Sequence, residues 1–271
     1  MTILITGGTG LVGSRLLTRL VDAGIDCRAL VRAGKELPAG VTPVDGDLSI
    51  PETLNKAVEG VSAIVHLAAV LRTPDPDLIW ATNLKGTQNL IEAAKQHAPD
   101  ARFIMASTSL VYDADSPRPG REEDAVNPKL DYPASKVAAE AELRSSGLNW
   151  SILRFGFVYG DKDGHLESLP QLAKKFKLHP ASKLSMIHHR DIAAFIQLAL
   201  SGVLDGKIVN TTDEAPMSIY DLCELVGEPI EPSSEPLSNP WWGLIDGALA
   251  RDLGFRPVIA TVYQAAREGV L

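Results

Sequence analysis

Only two cysteines occur in this 271-residue chain, Cys27 and Cys223, and their spacing fits neither a CxxC pair nor a disulfide framework. We therefore expect buried free thiols and a reducing compartment. Basic residues are also scarce, because 26 lysines and arginines stand against 34 aspartates and glutamates, a formal net charge of −8. This balance argues against nucleic acid and anionic membranes as partners, since both usually require a basic surface.

Long hydrophobic runs are absent as well. No apolar stretch is long enough to cross a bilayer, and the N-terminal residues have no basic region typical of a signal peptide. We expect a cytoplasmic protein with no membrane partner. Charged residues make up 22% and hydrophobic residues 45% of the chain, which excludes a disordered chain. The length suits one large domain, or one domain with a smaller partner.

Short apolar strands alternate with helical patterns over the first 155 residues, about six times. The predicted strands lie at Thr2–Thr6, Cys27–Val31, Thr42–Val44, Ala63–Leu67, Arg102–Met105 and Trp150–Leu153. Predicted helices lie at Pro51–Glu59, Leu78–His97 and Ala134–Ser145, and later at Asp191–Leu200, Ser218–Val226 and Pro257–Glu268, with Asp191 as an expected N-cap. The alternation predicts an α/β fold, a Rossmann-like doubly wound parallel sheet covered by helices on both faces.

A glycine-rich segment, TGGTGLVG at 6–13, joins the first predicted strand to the first predicted helix. Glycines at 7, 10 and 13 allow a tight turn, close approach to a pyrophosphate and close contact between helix and strand. The helix that follows offers free N–H groups to the phosphates. The segment therefore predicts a dinucleotide site.

Arg32 ends the second predicted strand, 19 residues after Gly13. In dinucleotide folds an acidic residue near this position binds the ribose of NAD. An arginine can instead pair with a 2′-phosphate. We therefore expect NADP(H) to be preferred, with NAD(H) as the other option.

Tyr132 and Lys136 stand four residues apart on a predicted helix and so share one face. An ammonium beside a phenol lowers the phenol pKa, which suits proton exchange with a substrate oxygen near neutral pH. Upstream, the segment STSLVY at 107–112 places several hydroxyls after an apolar strand. Ligands of open α/β sheets bind at such carboxyl ends.

These segments resemble the extended branch of the short-chain dehydrogenase/reductase superfamily, the NAD-dependent epimerase/dehydratase-like proteins. The matching segments are TGGTGLVG (6–13), GDL (46–48), HLAA (66–69), Asn83 with Gly86-Thr87 and Asn89, STSLVY (107–112), YPASK (132–136), LRFGFVYG (153–160) and HHRDIA (188–193). The resemblance covers almost the whole chain. It implies a Rossmann domain of residues 1–160 plus 187–210 and a small C-terminal α+β substrate domain of residues 161–186 plus 211–271.

The resemblance also implies a catalytic set of Thr108, Tyr132 and Lys136. Tyr132 would exchange the proton, Lys136 would bind the nicotinamide ribose, and Thr108 would hydrogen-bond the reacting oxygen. The expected cofactor contacts are Gly7, Thr9, Gly10, Leu11, Val12, Gly13, Arg32, Asp47, Leu48, Leu67, Ala68, Ala69, Asn83, Ser107, Tyr132, Lys136 and Phe155.

No metal is expected, because the adjacent His188 and His189 would point to opposite faces of a strand. His66 lies on a predicted buried strand and is expected to be a core histidine. Trp241 and Trp242 fit a substrate pocket or the packing of the small domain equally well.

The expected function is an NAD(P)(H)-dependent oxidoreductase that moves a hydride to or from a carbonyl or alcohol carbon of a small molecule. The alternative is a nucleotide-sugar epimerase or dehydratase with retained NAD, for which residues 211–271 offer only Arg251, Arg256 and Arg267 to meet a pyrophosphate. A more distant alternative is a non-catalytic dinucleotide-binding protein. The helices at 83–97 and 132–145 resemble those that pair in dimers of this branch, so we expect a homodimer.

Overall fold

The computed structural model describes residues 1–32, 34–112 and 115–271. The strands are β1 (Thr2–Thr6), β2 (Asp26–Val31), β3 (Val41–Asp45), β4 (Ala63–His66), β5 (Arg102–Thr108), β6 (Asn149–Phe155), β7 (Phe157–Tyr159), β8 (Lys183–Leu184), β9 (Met186–His188), β10 (Lys207–Thr211) and β11 (Met217–Ser218). The helices are α1 (Leu11–Asp22), α2 (Glu52–Val58), α3 (Pro76–Trp80), α4 (Gly86–His97), α5 (Asp131–Ser145), α6 (Leu169–Phe176), α7 (His189–Leu200), α8 (Ile219–Leu225), α9 (Ala248–Asp252) and α10 (Val262–Glu268).

Seven parallel strands form the central sheet in the order β10-β6-β5-β4-β1-β2-β3. The strand order reverses at β1, which lies between β2 and β4. In open α/β sheets, ligands bind outside the carboxyl ends of the strands at this reversal. The sheet confirms the predicted Rossmann-like fold and places the glycine-rich loop, which follows β1, at the expected binding edge. None of the helices in the described ranges is long and apolar enough to span a bilayer.

Both faces of the sheet are buried, which accounts for the nearly continuous apolar strands. On β1, Ile3 and Ile5 pack on one face with apolar residues of α1 and α7. Leu4, between them, points to the opposite face and packs with α2, α4 and α5. Because side chains alternate along a strand, a strand that is covered on both sides needs apolar residues at every position.

A third apolar cluster lies outside the sheet and draws on both segments assigned to the small domain. Its buried members include Leu166 and Leu169 before and in α6, Leu222 of α8 and Val262 of α10. The segment around α9 differs, because the Phe255 ring stacks on Phe195 of α7 at 3.7 Å between centroids and joins the core of the sheet. The division into two domains remains a prediction, and residues near α9 pack with the larger part.

Two predicted helices differ from those in the structure. The predicted helix Leu78–His97 is divided into α3, a π-helical segment at Ala81–Lys85, and α4. Such wide turns are frequent at functional sites. The predicted helix Pro257–Glu268 is shortened and begins only at Val262, where the Thr261 hydroxyl accepts a hydrogen bond from the N–H of Gln264.

Asp191 is not the N-cap of α7, so that prediction is wrong. His188 takes this place, and its Nδ1 accepts a hydrogen bond from the Arg190 N–H at 3.0 Å. Asp191 lies in the first turn and is fully buried. Its carboxylate accepts hydrogen bonds from the backbone N–H groups of Val258 (2.6 Å) and Ile259 (3.3 Å). Asp191 therefore ties the segment before α10 to α7.

Replacing Asp191 by Ala should lower the free energy of unfolding by about 2 kcal/mol, because two backbone N–H groups lose their acceptor. Asp191→Asn retains an amide oxygen at this position and should lose less. Urea unfolding followed by circular dichroism measures both variants. Equal stability of Asp191→Ala and the unsubstituted protein would contradict this role.

Candidate active site

The glycine-rich loop forms a cradle that requires glycine at two positions. Gly7 has a φ of +72°, and a Cβ added there would lie 2.7 Å from the backbone nitrogen of Ala68. A Cβ on Gly13 would lie 2.1 Å from the carbonyl oxygen of Gly7. Both contacts are far too short for an alanine. The loop can therefore press against the end of β4 and the start of α1 only with glycine at these positions.

The surface above this cradle is open. Thr9, Gly10 and Leu11 are exposed, and Val12 is partly exposed. Within residues 1–32, α1 begins at Leu11 with neither a side-chain cap nor an acidic residue in its first turn. Its first N–H groups are thus available to an anion. The cradle fits the pyrophosphate of a dinucleotide.

Arg32 and Asp47 face a common region beyond the ends of β2 and β3. The Asp47 carboxylate accepts hydrogen bonds from the N–H (2.8 Å) and hydroxyl (2.7 Å) of Ser49. These bonds hold the Asp47 pKa below its usual range, and the positive charge of the exposed Arg32 acts in the same direction. Leu48 beside them is buried, and its carbonyl accepts from the Asn89 amide at 2.8 Å.

His66 is a core histidine that supports the cradle from below. Thr87 donates its hydroxyl proton to the Asn83 carbonyl (2.6 Å), so its oxygen accepts from His66 Nε2–H (2.9 Å). The unprotonated Nδ1 of His66 then accepts a hydrogen bond from the hydroxyl of Thr6 at 2.7 Å. Burial lowers the His66 pKa to about 3, with the charge of Lys136 acting in the same direction, so the ring is neutral.

Asn83, an expected cofactor contact, is held in the interior by hydrogen bonds to its neighbours. It is fully buried in the π-helical segment, where its amide donates to the carbonyl of Val70 (2.9 Å) and to the hydroxyl of Ser135 (3.1 Å). Its amide oxygen accepts from the N–H of Val70 at 2.7 Å. The side chain therefore holds the loop after β4 against α5. The expected contact of Asn83 with the cofactor remains a prediction, and these bonds give its side chain a positioning role beside it.

The other expected cofactor residues lie along the carboxyl edge of the sheet. Leu67 and Ala68 follow β4 and are partly exposed, and Ala69 after them is exposed. Phe155 ends β6 and is buried. Leu67 and Ala68 border the cradle at Gly7, whereas Phe155 lies on the same carboxyl edge with β4 and β5 between β6 and β1.

Thr108 at the end of β5 lies beside Tyr132 at the start of α5, and Lys136 follows Tyr132 by four residues on the same helix. Thr108 and Lys136 are buried, and Tyr132 is half-buried. Burial raises the pKa of Tyr132 to about 12, while the hydroxyl of Thr108 and the charge of Arg72 oppose the increase. The pKa of Tyr132 is thus raised, whereas the sequence predicted that the neighbouring Lys136 would lower it. The phenol of Tyr132 therefore keeps its proton near neutral pH.

Burial lowers the pKa of Lys136 to about 8, and the negative charge of Glu140 opposes this. Glu140 follows Lys136 by four residues and so shares its face of α5. It is buried and accepts hydrogen bonds from Arg154 Nη2 (2.7 Å) and Nε (3.1 Å) and from the Ser107 hydroxyl (2.5 Å). Ser107 thus directs its proton into the interior. Glu140 and Arg154 were not predicted from the sequence, although the repeated spacing of four residues from Tyr132 to Lys136 to Glu140 indicates that Glu140 shares their helix face.

Arg154 connects this hydrogen-bond network to Tyr112 and Asn210. Its Nη1 donates to the Tyr112 hydroxyl at 3.0 Å, and this hydroxyl donates to the amide oxygen of Asn210 at 2.7 Å. The guanidinium carbon also lies 5.0 Å from the centre of the Tyr112 ring. The Asn210 amide in turn donates to the carbonyls of Gly120 and Asp246, both at 3.0 Å. The helix that carries Tyr132 is thus linked to two loops that border the site.

Arg72 is a third residue of the site that the sequence did not predict. It lies in the exposed loop after β4 and donates from Nη2 to Nε2 of His165 at 2.7 Å. His165 stacks on Phe157 at 4.2 Å, and its Nδ1 donates to the Val158 carbonyl at 2.8 Å. No local motif could have indicated this pair, because its members are 93 residues apart.

His188 and His189 each bond a group within the protein. His188 Nε2 donates to the Val270 carbonyl at 2.9 Å, and His189 Nε2 lies 2.7 Å from a carboxylate oxygen of Asp163. In the described part of the chain, no group of three or more His, Cys, Asp and Glu side chains is arranged to hold a metal ion.

Comparisons with known proteins agree with this geometry. The model of the NAD dependent epimerase/dehydratase family matches residues 3–210. The 4-hydroxy-2-methyl-3-oxo-4-farnesyl-3,4-dihydroquinoline-1-oxide ketoreductase of Stigmatella aurantiaca is 30% identical over 247 residues, which span 84% of this chain and 73% of that relative. The ceramide reductase of Caulobacter vibrioides is 31% identical over 200 residues, spanning 71% of this chain and 58% of that relative.

A solved structure shows the same fold. A short-chain dehydrogenase/reductase superfamily protein from Agrobacterium tumefaciens, crystallised with bound NAD, has a TM-score of 0.82 at 24% identity. The alignment covers 99% of this chain and 95% of that one.

Replacing Glu140 by Gln should move the alkaline limb of the pH profile to lower pH. Glu140 raises the Lys136 pKa, so its loss lowers that pKa further below about 8. Activity that requires protonated Lys136 is then lost at a lower pH. The pH dependence of kcat/KM and of dinucleotide affinity measures the shift.

Glu142→Gln is the matched control, because Glu142 lies on the same helix and its carboxylate accepts from the Gln88 amide, away from Lys136. A lower melting temperature in Glu140→Gln with an unmoved pH profile would mean that Glu140 is only structural.

Proposed function

The chain belongs to the NAD dependent epimerase/dehydratase family, and from this membership we propose that it reduces the carbonyl group of a small molecule with NADPH. The observation that carries the proposal is the position of Tyr132 beside the Thr108 hydroxyl, with Lys136 buried one helical turn later on the same face of α5. This arrangement holds a proton where a carbonyl oxygen can take it up.

The dinucleotide, when bound in the cradle, supplies the hydride that reduces the carbonyl carbon. Tyr132 gives its proton to the oxygen, so that the product is an alcohol. The Thr108 oxygen accepts the Leu110 N–H at 3.2 Å, which fixes the hydroxyl beside the Tyr132 phenol. Lys136 places a positive charge in the interior, where it acts on His66. The two reductases among the relatives support this direction.

The nucleotide-sugar alternative finds less support in the charges of the C-terminal segment. Arg251 donates to the carbonyls of Thr212 (3.4 Å) and Asp213 (3.0 Å), and Arg256 donates to the carbonyl of Arg251 (2.7 Å). Two of the three arginines are thus bound to backbone oxygens. A pyrophosphate-bearing substrate would need cations that are directed into the site.

The preference for NADP(H) rests on Arg32. Its guanidinium is exposed at the end of β2, in the region that Asp47 also faces. A 2′-phosphate there would gain a charge-assisted hydrogen bond. NAD, which the Agrobacterium tumefaciens protein binds, would lack that contact.

We also propose a cytoplasmic homodimer. Cys27 and Cys223 are free and buried, as suits a reducing compartment. The proposed dimer contact is formed by α4 and α5.

Replacing Tyr132 by Phe should lower turnover of a carbonyl substrate by about 10²–10⁴-fold, the usual contribution of a general acid. NADPH affinity should be unchanged, because only the hydroxyl is removed. NADPH absorbance during a screen of neutral ketones and aldehydes measures the rate. Tyr263→Phe is the control, since Tyr263 is an exposed residue of α10. Retained turnover in Tyr132→Phe would refute the assignment.

Replacing Arg32 by Ala should weaken NADPH binding by roughly tenfold to a hundredfold, because a charged hydrogen bond contributes about 1.5–3 kcal/mol. NADH binding should not change. Titration calorimetry with both dinucleotides measures this. Arg28→Ala is the control, because Arg28 lies near the start of the same strand and bonds the Glu59 carbonyl. Equal affinity of the unsubstituted protein for NADPH and NADH would overturn the preference.

A further inference from the structure

Arg72 is a cation of the site that the proposed reduction does not use. It donates from Nη2 to Nε2 of His165 at 2.7 Å. The other ring nitrogen of His165 donates to the Val158 carbonyl, so Nε2 is the unprotonated nitrogen and can accept. Burial and the positive charge of Arg72 lower the His165 pKa, so the ring is neutral. The guanidinium is thus fixed by a partner that does not neutralise its charge.

The contact between Arg72 and His165 lies beyond the end of β5. Arg72 follows β4, whereas His165 follows β6 and β7, and β5 lies between β4 and β6 in the sheet. Both faces of the sheet are covered, so the loops after β4 and after β7 meet outside its carboxyl edge. Thr108 is the last residue of β5. The guanidinium therefore lies on the side of the sheet edge where a substrate oxygen would meet Thr108.

The loop that carries Arg72 is also tied to the first turn of α5. The Asn83 amide donates to the carbonyl of Val70, two residues before Arg72. The same amide donates to the Ser135 hydroxyl, which donates to the Tyr132 carbonyl at 2.7 Å. Three hydrogen bonds thus connect the loop to the residue that holds the proton. In agreement with this position, the charge of Arg72 acts to lower the Tyr132 pKa.

The guanidinium of Arg72 has hydrogen-bond donors left for a ligand. Its side chain is exposed, and the bond to His165 uses one of the five N–H groups of an arginine. In the part of the chain that the structure describes, no carboxylate forms an ion pair with Arg72. Guanidinium groups bind carboxylates through two parallel hydrogen bonds.

We propose that Arg72 binds a carboxylate of the carbonyl substrate, so that the substrate class is an oxo acid. The proposal rests on the proposed reductase function and names the substrate class of that same site. One guanidinium matches the single charge of a carboxylate, whereas a pyrophosphate carries more than one. The pyrophosphate of the dinucleotide has its own place in the glycine-rich cradle. His165 is a positioning residue for Arg72.

The test compares oxo acids with their methyl esters, which share the carbonyl but lack the negative charge. Pyruvate and levulinate are the two acids, because their carboxylates lie at different distances from the carbonyl. With NADPH, Arg72→Gln should lower kcat/KM for the preferred acid about tenfold to a hundredfold, since a charge-assisted hydrogen bond is lost. The kcat/KM for its methyl ester should be unchanged. Because each variant is compared on both compounds, differences in their intrinsic reactivity cancel.

Arg144→Gln is the matched control, because Arg144 is an exposed arginine in the last turn of α5, about three turns from Tyr132. Arg72→Lys should retain part of the preference for the acid, since an ammonium keeps the charge but lacks the planar fork. His165→Phe retains a ring that can stack on Phe157 but has no acceptor for Arg72. It should lower the ratio of acid to ester kcat/KM by a smaller factor than Arg72→Gln.

Binding is measured separately from turnover in the Tyr132→Phe variant loaded with NADPH, by NMR line broadening of the two acids. Binding that is lost on adding Arg72→Gln supports the carboxylate site even when no oxo acid is reduced, in which case only the reductase function fails. Three results overturn the site: equal losses of kcat/KM for acid and ester, acid binding that Arg72→Gln leaves unchanged, or no binding of either acid at millimolar concentration. A loss of NADPH affinity in Arg72→Gln as large as the loss of kcat/KM for the acid would also overturn it, because Arg72 would then bind the cofactor.

Discussion

Glu140 brings a negative charge into the interior between α5 and the sheet, and the groups around it are arranged to compensate that charge. Arg154 forms two hydrogen bonds with its carboxylate, Ser107 adds a third, and Lys136 places an ammonium one helical turn away. A buried ion pair of this kind is costly to desolvate, and removing one partner leaves an uncompensated charge. Each member therefore constrains the others. The three elements that carry them, α5, β5 and β6, are also those that place Thr108, Tyr132 and Phe155.

The same hydrogen-bond network extends to the loops that carry Gly120 and Asp246. Arg154 holds the Tyr112 hydroxyl, Tyr112 holds Asn210, and Asn210 bonds the carbonyls of Gly120 and Asp246. The buried carboxylate of Glu140 and the loops that carry Gly120 and Asp246 are thus ends of one connected set of polar contacts. The cradle has a separate support, because His66 links Thr6 to Thr87 through a neutral ring. Two polar networks, one on each side of β5, thereby position the two halves of the proposed site.

Local features were predictable from the sequence, and contacts between distant segments were not. The glycine positions follow from a single turn, where Gly13 meets Gly7, and the sheet follows from the alternation of apolar strands with helices. Asp191 was misassigned because its partners, Val258 and Ile259, lie 67 and 68 residues away, whereas an N-cap is a local expectation. The side-chain contacts of Asn83 were not predictable, because a π-helical segment turns this residue into the interior. The pKa of Tyr132 is the clearest example of a property that the sequence could not predict. Its spacing from Lys136 predicted a lowered pKa, whereas burial, which depends on the whole fold, raises the pKa.

The two shifted pKa values together decide the state in which the site starts. With Tyr132 at about 12 and Lys136 at about 8, both groups carry their protons near neutral pH. A site in this state has a proton to give to a carbonyl oxygen, whereas the oxidation of an alcohol requires a phenol that has lost its proton. Raising the pH affects Lys136 before Tyr132, because its pKa is the lower of the two. Alkaline pH therefore removes the ammonium charge of Lys136 before it removes the proton of the Tyr132 phenol, and burial is the main cause of both pKa values.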